Sequence, residues 1–214
     1  MNFLNELTSF SKKKLKPTST EICYLDGRKC VLNKDEFEEI EVAENVSPDD
    51  PSKRIGILGH VTDKYADLSI DKIVDHLYLS GDDAATNRSL LSANKITHII
   101  NITSNVLNKF EKELVYLKIH MWDLPVQEIE NHFEETFEFI ETALNASEEN
   151  NVLVHCNQGI SRSATIVIAY LMQKKLFNTY KQAYEFVKQK RAKISPNAGF
   201  VKKLISLEEK LMQS

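Results

Sequence analysis

A short polar loop between two apolar runs is the feature that most restricts the fold of this 214-residue chain. Residues 151–154 read Asn-Val-Leu-Val, and residues 164–172 are mostly apolar. The first run has the length of a buried strand and the second that of a buried helix. A strand that is apolar on both faces is typical of a parallel sheet covered by helices. The pattern therefore predicts an α/β domain in which residues 155–163 turn from a strand into a helix.

This loop carries a cysteine and, six positions later, an arginine at the predicted start of the helix. Unpaired N–H groups and the positive end of the helix dipole attract an anion at such a turn, so a phosphate can be held there without a metal ion. The same field lowers the pKa of a thiol, which makes Cys156 a candidate nucleophile. The fork of Arg162 can hold two phosphate oxygens, and Gly159 allows a close backbone turn. We therefore call residues 155–163 the phosphate loop.

The phosphate loop reads His-Cys-Asn-Gln-Gly-Ile-Ser-Arg-Ser, a motif of the form H-C-x-x-G-x-S-R-S. This motif resembles the signature of the cysteine-based protein phosphatases, and its ending resembles the dual-specificity branch. Neither Cys23 nor Cys30 has an arginine six positions later. The resemblance covers about residues 67–212 and implies the fold of that family, a mostly parallel central sheet flanked by helices. The alternative, an ordinary buried thiol beside a surface arginine that caps a helix, leaves the agreement of strand, loop and helix unexplained.

The resemblance also implies a role for each residue of the phosphate loop. Cys156 would attack phosphorus to form a phosphocysteine, while Arg162 and the loop backbone hold the phosphate oxygens. Ser163 would donate a hydrogen bond to the departing thiolate, unless it is only a first-turn helix residue. His155 would support the loop through its ring, as a structural residue and not as a base or metal ligand. The residues implied in substrate binding are Asn157, Gln158, Gly159, Ile160, Ser161 and Arg162.

An acid from elsewhere in the chain must supply a proton to the departing oxygen of a phosphate ester. Asp123, in the sequence Trp-Asp-Leu-Pro, follows a predicted strand and precedes a predicted helix. Parallel strands place such loops at the same sheet edge as Cys156. By context and by its distance before the cysteine, Asp123 also resembles the general acid of the family. Helix capping is the alternative, for which Glu128 and Asn131 are better placed.

Two further positions add to the resemblance or depart from it. Asn197, in Ser-Pro-Asn-Ala-Gly-Phe, resembles a family element that packs behind the phosphate loop, where the asparagine side chain ties loop backbone together. It is also placed to cap the last predicted helix. Gln158 stands where alanine is common in the family. Because the loop binds mainly through its amides, the longer side chain is compatible with phosphate binding. The rate or the range of substrates could nevertheless differ from that of relatives with alanine.

Composition favours one catalytic domain and argues against several other functions. A chain of 214 residues with 42% hydrophobic residues can bury one good core, which favours one domain with an extension. A net charge of -4 argues against a general nucleic-acid binder. No apolar run approaches the length of a membrane span, and the N-terminus lacks the apolar core of a signal peptide. A free thiolate fits a reducing compartment, so we expect a cytoplasmic protein with no cofactor and no metal.

From about residue 67 onward, short apolar runs alternate with amphipathic segments, which is typical of strands alternating with helices. Strands are predicted over residues 77–79, 96–102, 115–119 and 151–154, and helices over residues 86–94, 129–144, 164–172, 179–193 and 197–212. The helix over residues 129–144 has one apolar stripe, formed by Ile129, Phe133, Phe137, Ile140 and Leu144. Residues 67–214 are therefore predicted to be the catalytic domain, and residues 1–66 an N-terminal extension.

The extension differs in composition from the rest of the chain. A short helix is predicted over residues 2–15, a hairpin over residues 21–32 and an acidic linker over residues 35–50. A two-residue turn at Asp26 and Gly27 would put Cys23 opposite Cys30, within disulfide reach, although two free thiols are expected in a reducing compartment. The lysine-rich run over residues 12–16 is either a solvated basic tail or a docking segment for an acidic kinase groove.

The substrate class follows from what the phosphate loop and its surroundings lack. No segment corresponds to the loop that deepens the pocket of tyrosine-specific relatives, which implies turnover of phosphotyrosine and of phosphoserine or phosphothreonine. Lipid-directed relatives place lysines inside the loop, and this chain does not. The N-terminal pattern and the sequence around Asp123 resemble the small, atypical type that regulates the stress-activated protein kinase pathway, which implies a MAP kinase or an upstream kinase as partner. The alternatives are a silent phosphoprotein-binding scaffold for kinases and a phosphatase for RNA or lipid.

Overall fold

The computed structural model describes residues 66–213 and, before them, the backbone of two short strands. Contacts divide the chain between Tyr65 and Ala66, so that these two strands belong to one unit and residues 66–213 to another. The helix predicted over residues 2–15, the lysine-rich run and the acidic linker lie outside the described residues. Within the described part of the chain, each helix is too short or too polar to span a bilayer.

The two short strands, β1 (Thr20–Cys23) and β2 (Lys29–Leu32), pair antiparallel, so the predicted hairpin is confirmed. Its register is not the predicted one. Cys23 pairs with Lys29, and Cys30 pairs with Ile22. The prediction that Cys23 lies opposite Cys30 is therefore wrong, because the observed register is shifted by one residue, which puts the two cysteines on opposite faces of the hairpin. The disulfide hypothesis, which depended on that register, loses its basis.

Five strands form the sheet of the larger unit: β3 (Ile70–Val74), β4 (Leu77–Ser80), β5 (His98–Ile102), β6 (Val115–Ile119) and β7 (Val152–His155). Their order across the sheet is β3-β4-β7-β5-β6. All neighbours pair in parallel except β3, which runs antiparallel to β4 at the edge. The predicted mostly parallel sheet is confirmed. Strand β3 is absent from the prediction because its charged residues break the apolar pattern of a buried strand.

Six α-helices accompany this sheet in residues 66–213: α1 (Asp82–Ala85), α2 (Arg88–Ala93), α3 (Phe133–Ala146), α4 (Arg162–Gln173), α5 (Tyr180–Lys190) and α6 (Ala198–Met212). The five predicted helices are confirmed, two of them with changed ends, whereas α1 was not predicted. A 3-10 turn, Ile129–His132, replaces the start of the predicted helix over residues 129–144. Helix α5 ends before Arg191, which adopts an extended conformation where the prediction continued the helix to residue 193.

The core fixes both ends of the phosphate loop. Strand β7 is central in the sheet and buried on both faces: Val152 and Val154 join the larger apolar cluster, and Leu153 joins a smaller cluster on the other side. Helix α4 is buried from Arg162 to Met172. Because interiors are close-packed, neither element can shift without disturbing its neighbours. The apolar stripe predicted over residues 129–144 also packs on this core, through Ile129, Phe133, Phe137, Ile140 and Leu144.

Candidate active site

The phosphate loop runs from the last residue of β7 into the first turn of α4, at the carboxyl ends of the parallel strands. Hydrogen-bond donors converge there on the sulfur of Cys156, which is 1% exposed. The Gly159 N–H lies 3.3 Å from Sγ and the Ser163 hydroxyl 3.1 Å, and the N–H groups of Ile160 and Ser163 add two further bonds. The strand and helix thus hold several donors around one sulfur atom.

These donors favour the thiolate of Cys156. Burial raises the pKa of the thiol, but the charge of Arg162 and the hydrogen bonds from Ser163 and Ile160 outweigh burial and lower the pKa below its ordinary value. A thiol at a helix N-terminus beside a cation behaves in this way. The site therefore holds a nucleophile at the point where the loop would bind an anion.

Four consecutive carbonyl groups of the phosphate loop, from Asn157 to Ile160, accept hydrogen bonds from residues outside the loop. In a trans peptide the carbonyl and the N–H of the next residue lie in one plane and point in opposite directions, so a carbonyl fixed outward leaves the following N–H directed inward. Gly159 has φ of 66°, and a Cβ there would lie 2.4 Å from Ser80 O, so only glycine fits. The bonds run from Asp82 N–H to Asn157 O (2.9 Å), from Arg191 to Gln158 O (3.0 Å) and Gly159 O (2.8 Å), and from Ser195 N–H to Ile160 O (2.9 Å).

The guanidinium of Arg162 is buried, and both of its terminal nitrogens donate to the protein. Nη1 donates to Ile102 O at 3.2 Å and to Met121 O at 2.9 Å, at the ends of β5 and β6. Nη2 donates to Asn157 Oδ1 at 2.8 Å. Nε has no hydrogen-bond partner in the described structure, although it is buried. Leaving a buried charged donor unpaired is costly, so an oxyanion is the natural partner for Nε.

A polar network next to Arg162 was not predicted from the sequence. The side chain of Asn157 donates to Asn105 Oδ1 at 3.0 Å in the loop after β5. That loop folds over the ammonium of Lys118, which donates to Asn101 Oδ1, Thr103 Oγ1 and Val106 O at 2.7 to 3.0 Å. Burial and the charge of Arg162 lower the pKa of Lys118 to about 8. A lysine in the alternating pattern of a strand reads as solvent-facing, so the sequence carried no signal for this contact.

Asp123 lies beside the phosphate loop, as predicted for a residue at this sheet edge. Its Oδ1 accepts hydrogen bonds from Ser161 Oγ and from Asn197 Nδ2, both at 2.8 Å, and its Oδ2 lies 3.8 Å from Arg162 Nε. The side chain is 35% exposed. The helix-capping alternative fails, because neither the 3-10 turn nor α3 begins with a side-chain cap. The carboxylate thus faces the anion site and solvent.

Asn197 caps the last helix, as the sequence predicts, and also binds Asp123 and Ser161, which the sequence did not predict. It caps α6 by accepting from Phe200 N–H at 3.0 Å, as predicted. Its side chain does not tie loop backbone together; it donates to Asp123, and its own N–H donates to Ser161 Oγ at 3.1 Å. A Cβ at Gly199 would lie 2.0 Å from Pro125 O, so α6 begins directly against the loop that carries Asp123. The start of α6 therefore orients Asp123 and the phosphate loop together.

The other two predicted positions are His155 and Gln158. His155 is 2% exposed, with Nδ1 3.3 Å from Cys156 O. Burial lowers the pKa of His155 to about 4, helped by the charges of Lys118 and Arg162 and opposed by the contact with Cys156 O. The ring is therefore neutral near neutral pH. Arg191 holds the carbonyl of Gln158, a contact that any residue at this position would provide.

Comparison with known proteins agrees with this geometry. Residues 77–210 match the family model of the dual specificity phosphatase catalytic domain. The chain belongs to the dual specificity protein phosphatases, a family of metal-independent, cysteine-based enzymes that act on phosphoproteins.

Relatives and a solved structure extend the match. Dual specificity protein phosphatase 19 of Mus musculus is 38% identical over 95% of this chain and 89% of its own length. Dual specificity protein phosphatase 1 of Arabidopsis thaliana is also 38% identical, over 70% of this chain and 75% of its own. The crystal structure of human tyrosine phosphatase-like serine/threonine/tyrosine-interacting protein covers 67% of this chain and 97% of its own, with a TM-score of 0.61 and 35% identity.

Proposed function

We propose that the chain hydrolyses phosphotyrosine and phosphoserine or phosphothreonine in proteins by two steps through a phosphocysteine on Cys156. The observation that carries this proposal is the convergence of hydrogen-bond donors on a buried sulfur of lowered pKa. Beside it lies Arg162 Nε, which has no hydrogen-bond partner among the described residues and is 3.8 Å from Asp123 Oδ2. An anion site built from N–H and guanidinium donors, with a thiolate at its base, suits nucleophilic attack on a phosphate ester.

In the first step the Cys156 thiolate attacks phosphorus in line with the ester oxygen. The sulfur–phosphorus bond forms as the phosphorus–oxygen bond breaks, and Asp123 gives its proton to the departing oxygen. Arg162 Nε and the inward N–H groups hold the non-bridging oxygens while their charge redistributes. Ser161 and Asn197 both donate to Oδ1 of Asp123, so we assign the proton to Oδ2, which lies 3.8 Å from Arg162 Nε.

In the second step water cleaves the phosphocysteine. Asp123, now ionised, accepts a proton from the water, whose oxygen attacks phosphorus as the sulfur–phosphorus bond breaks. The leaving group is the thiolate, and the Ser163 hydroxyl at 3.1 Å is placed to donate to it. The products are inorganic phosphate, the free thiolate and a protonated Asp123, which is the starting state.

The physiological role proposed here is in a stress-activated or other MAP kinase pathway, with a MAP kinase or an upstream kinase as partner. Its support is the resemblance of the N-terminal pattern and of the sequence around Asp123, together with a likeness to dual specificity protein phosphatase 19 that extends over 95% of this chain. A cytoplasmic location fits the proposal, because a reducing compartment keeps the Cys156 thiolate available.

The test compares wild type, Cys156→Ser and Asp123→Ala on matched phosphotyrosine and phosphothreonine peptides with a chelator present. We expect metal-independent turnover by wild type and none by Cys156→Ser. Loss of a general acid typically lowers turnover by about 10²- to 10⁴-fold, which is the loss expected of Asp123→Ala. Equal turnover by the three proteins would exclude the mechanism. Retained binding of the phosphopeptides without turnover by wild type would support a phosphoprotein-binding scaffold instead.

A further inference from the structure

Arg191 is a charged residue outside the proposed mechanism that binds the phosphate loop directly. It follows α5, and its side chain is 1% exposed. Nε donates to Gly159 O at 2.8 Å and Nη2 to Gln158 O at 3.0 Å, so one guanidinium holds two consecutive loop carbonyls. A Cβ at Gly159 would lie 2.6 Å from the same guanidinium. Arg191 and the loop are therefore in close contact across 32 positions of sequence.

The charge of Arg191 is balanced by a segment ahead of the first parallel strand. Nη2 lies 2.5 Å from Asp67 Oδ2 and Nη1 lies 2.6 Å from Asp71 Oδ2, with Ser69 Oγ a further 2.9 Å contact. Lys193 also pairs with Asp67. Uncompensated burial of a guanidinium would be strongly unfavourable, so these carboxylates are needed for Arg191 to occupy its position. They precede residue 77, where the family match begins.

We infer that Arg191 is a positioning residue for the phosphate loop and that Asp67 and Asp71 act through it, which makes residues 67–71 part of the phosphate site. The inference rests on the proposed function of that site. By fixing two carbonyls outward, Arg191 directs the following N–H groups toward the anion and the thiolate. A side chain that only stabilised the fold would not need to reach both carbonyls with one planar fork.

Three sets of variants test this inference in the full chain: Arg191→Met, Arg191→Lys, and the pair Asp67→Asn with Asp71→Asn. The control is Asp75→Asn, because Asp75 is near the same strand and forms an ion pair with Lys72 in which the Asp75 side chain is 86% exposed. Two quantities are measured on protein shown to be folded by circular dichroism: inhibition by inorganic phosphate and the pH midpoint of Cys156 alkylation.

We expect Arg191→Met to weaken phosphate inhibition about tenfold, which corresponds to about 1.4 kcal/mol of anion binding, and to raise the alkylation midpoint. Arg191→Lys should show much of the same loss, because an ammonium cannot reproduce the fork. Asp75→Asn should match wild type. Folded Arg191→Met with unchanged phosphate inhibition and an unchanged midpoint would overturn the inference, whatever its melting temperature. Loss of the overall thermal stability alone would identify a purely structural residue.

A double-mutant cycle tests whether the carboxylates act through Arg191. Asp67→Asn with Asp71→Asn should weaken phosphate inhibition in the wild-type background and add little in the Arg191→Met background, because groups in one network are not additive. Additive losses would refute that dependence. If Arg191→Met does not fold, the same two measurements are made on Asp71→Asn alone, which keeps an oxygen acceptor for Arg191 but removes the charge. Turnover by wild type and by Cys156→Ser is measured in the same experiment. If wild type is active and Cys156→Ser is not, the proposed function stands even where the inference about Arg191 fails.

Discussion

The Ser163 hydroxyl offers a direct measure of how the structure sets the reactivity of Cys156. Its Oγ lies 3.1 Å from the sulfur and donates to it. A hydrogen bond to a charged group contributes about 1.5 to 3 kcal/mol, and one pKa unit corresponds to about 1.4 kcal/mol. Ser163→Ala should therefore raise the pKa of Cys156 by about one to two units, toward the smaller value because the Gly159 N–H and Arg162 remain.

The assay is the rate of iodoacetamide alkylation of Cys156 as a function of pH, followed by mass mapping of the modified peptide. Thr165→Val is the matched control, since the Thr165 hydroxyl is buried on the same helix but donates to Ser161 O at 2.8 Å and not to the sulfur. The upward shift should appear in Ser163→Ala alone. An unchanged midpoint in folded Ser163→Ala would refute the reasoning, and an equal shift in Thr165→Val would show that the helix, not the hydrogen bond, sets the pKa.

Three further outcomes are expected. Burial lowers the pKa of His155 from 6.5 to about 4, so between these pH values the folded state binds fewer protons than the unfolded state. The unfolding free energy of wild type should therefore decrease as the pH falls from 6.5 to about 4, and folded His155→Asn should not show this decrease. Asn157→Ala and Asn105→Ala should each weaken inhibition by phosphate, and the double variant should add little to the larger loss, as measured by competition assays. Asn197→Ala should slow alkyl phosphate hydrolysis more than hydrolysis of an aryl phosphate with a good leaving group, and equal slowing would count against a role in orienting Asp123.

Most of the fold could be predicted from the sequence because its central strand and helices have clear hydrophobic patterns. The continuous apolar runs of β7 and α4 have few alternatives to burial, and the stripe from Ile129 to Leu144 follows the helical period even where the chain begins as a 3-10 turn. Strand β3 could not be predicted, because a strand at the edge of a sheet does not need a continuous apolar run. The hairpin register was missed for a related reason: turn residues suggest where a hairpin lies but leave a one-residue slip undecided.

The sequence predicted those site residues that belong to a short motif or follow a predicted strand. The spacing of Cys156 and Arg162 and the position of Asp123 could be recognised, and the structure brings these residues together. The supporting contacts could not be recognised, because they join residues far apart in sequence, such as Arg191 with Asp67 at a separation of 124 positions. A buried arginine and a solvated one look alike in a sequence, and only the tertiary fold decides between them.

The most direct test of the central claim is rapid quenching of the enzyme during turnover of a phosphotyrosine peptide, followed by mass spectrometry of the peptide that contains Cys156. Ser163→Ala is the best variant, because loss of the hydroxyl should slow thiolate departure and allow the intermediate to accumulate. The mechanism predicts a phosphate on Cys156 that appears within the first turnover and disappears when substrate is exhausted. Continued turnover with no phosphate on Cys156, and with activity retained in Cys156→Ser, would contradict it.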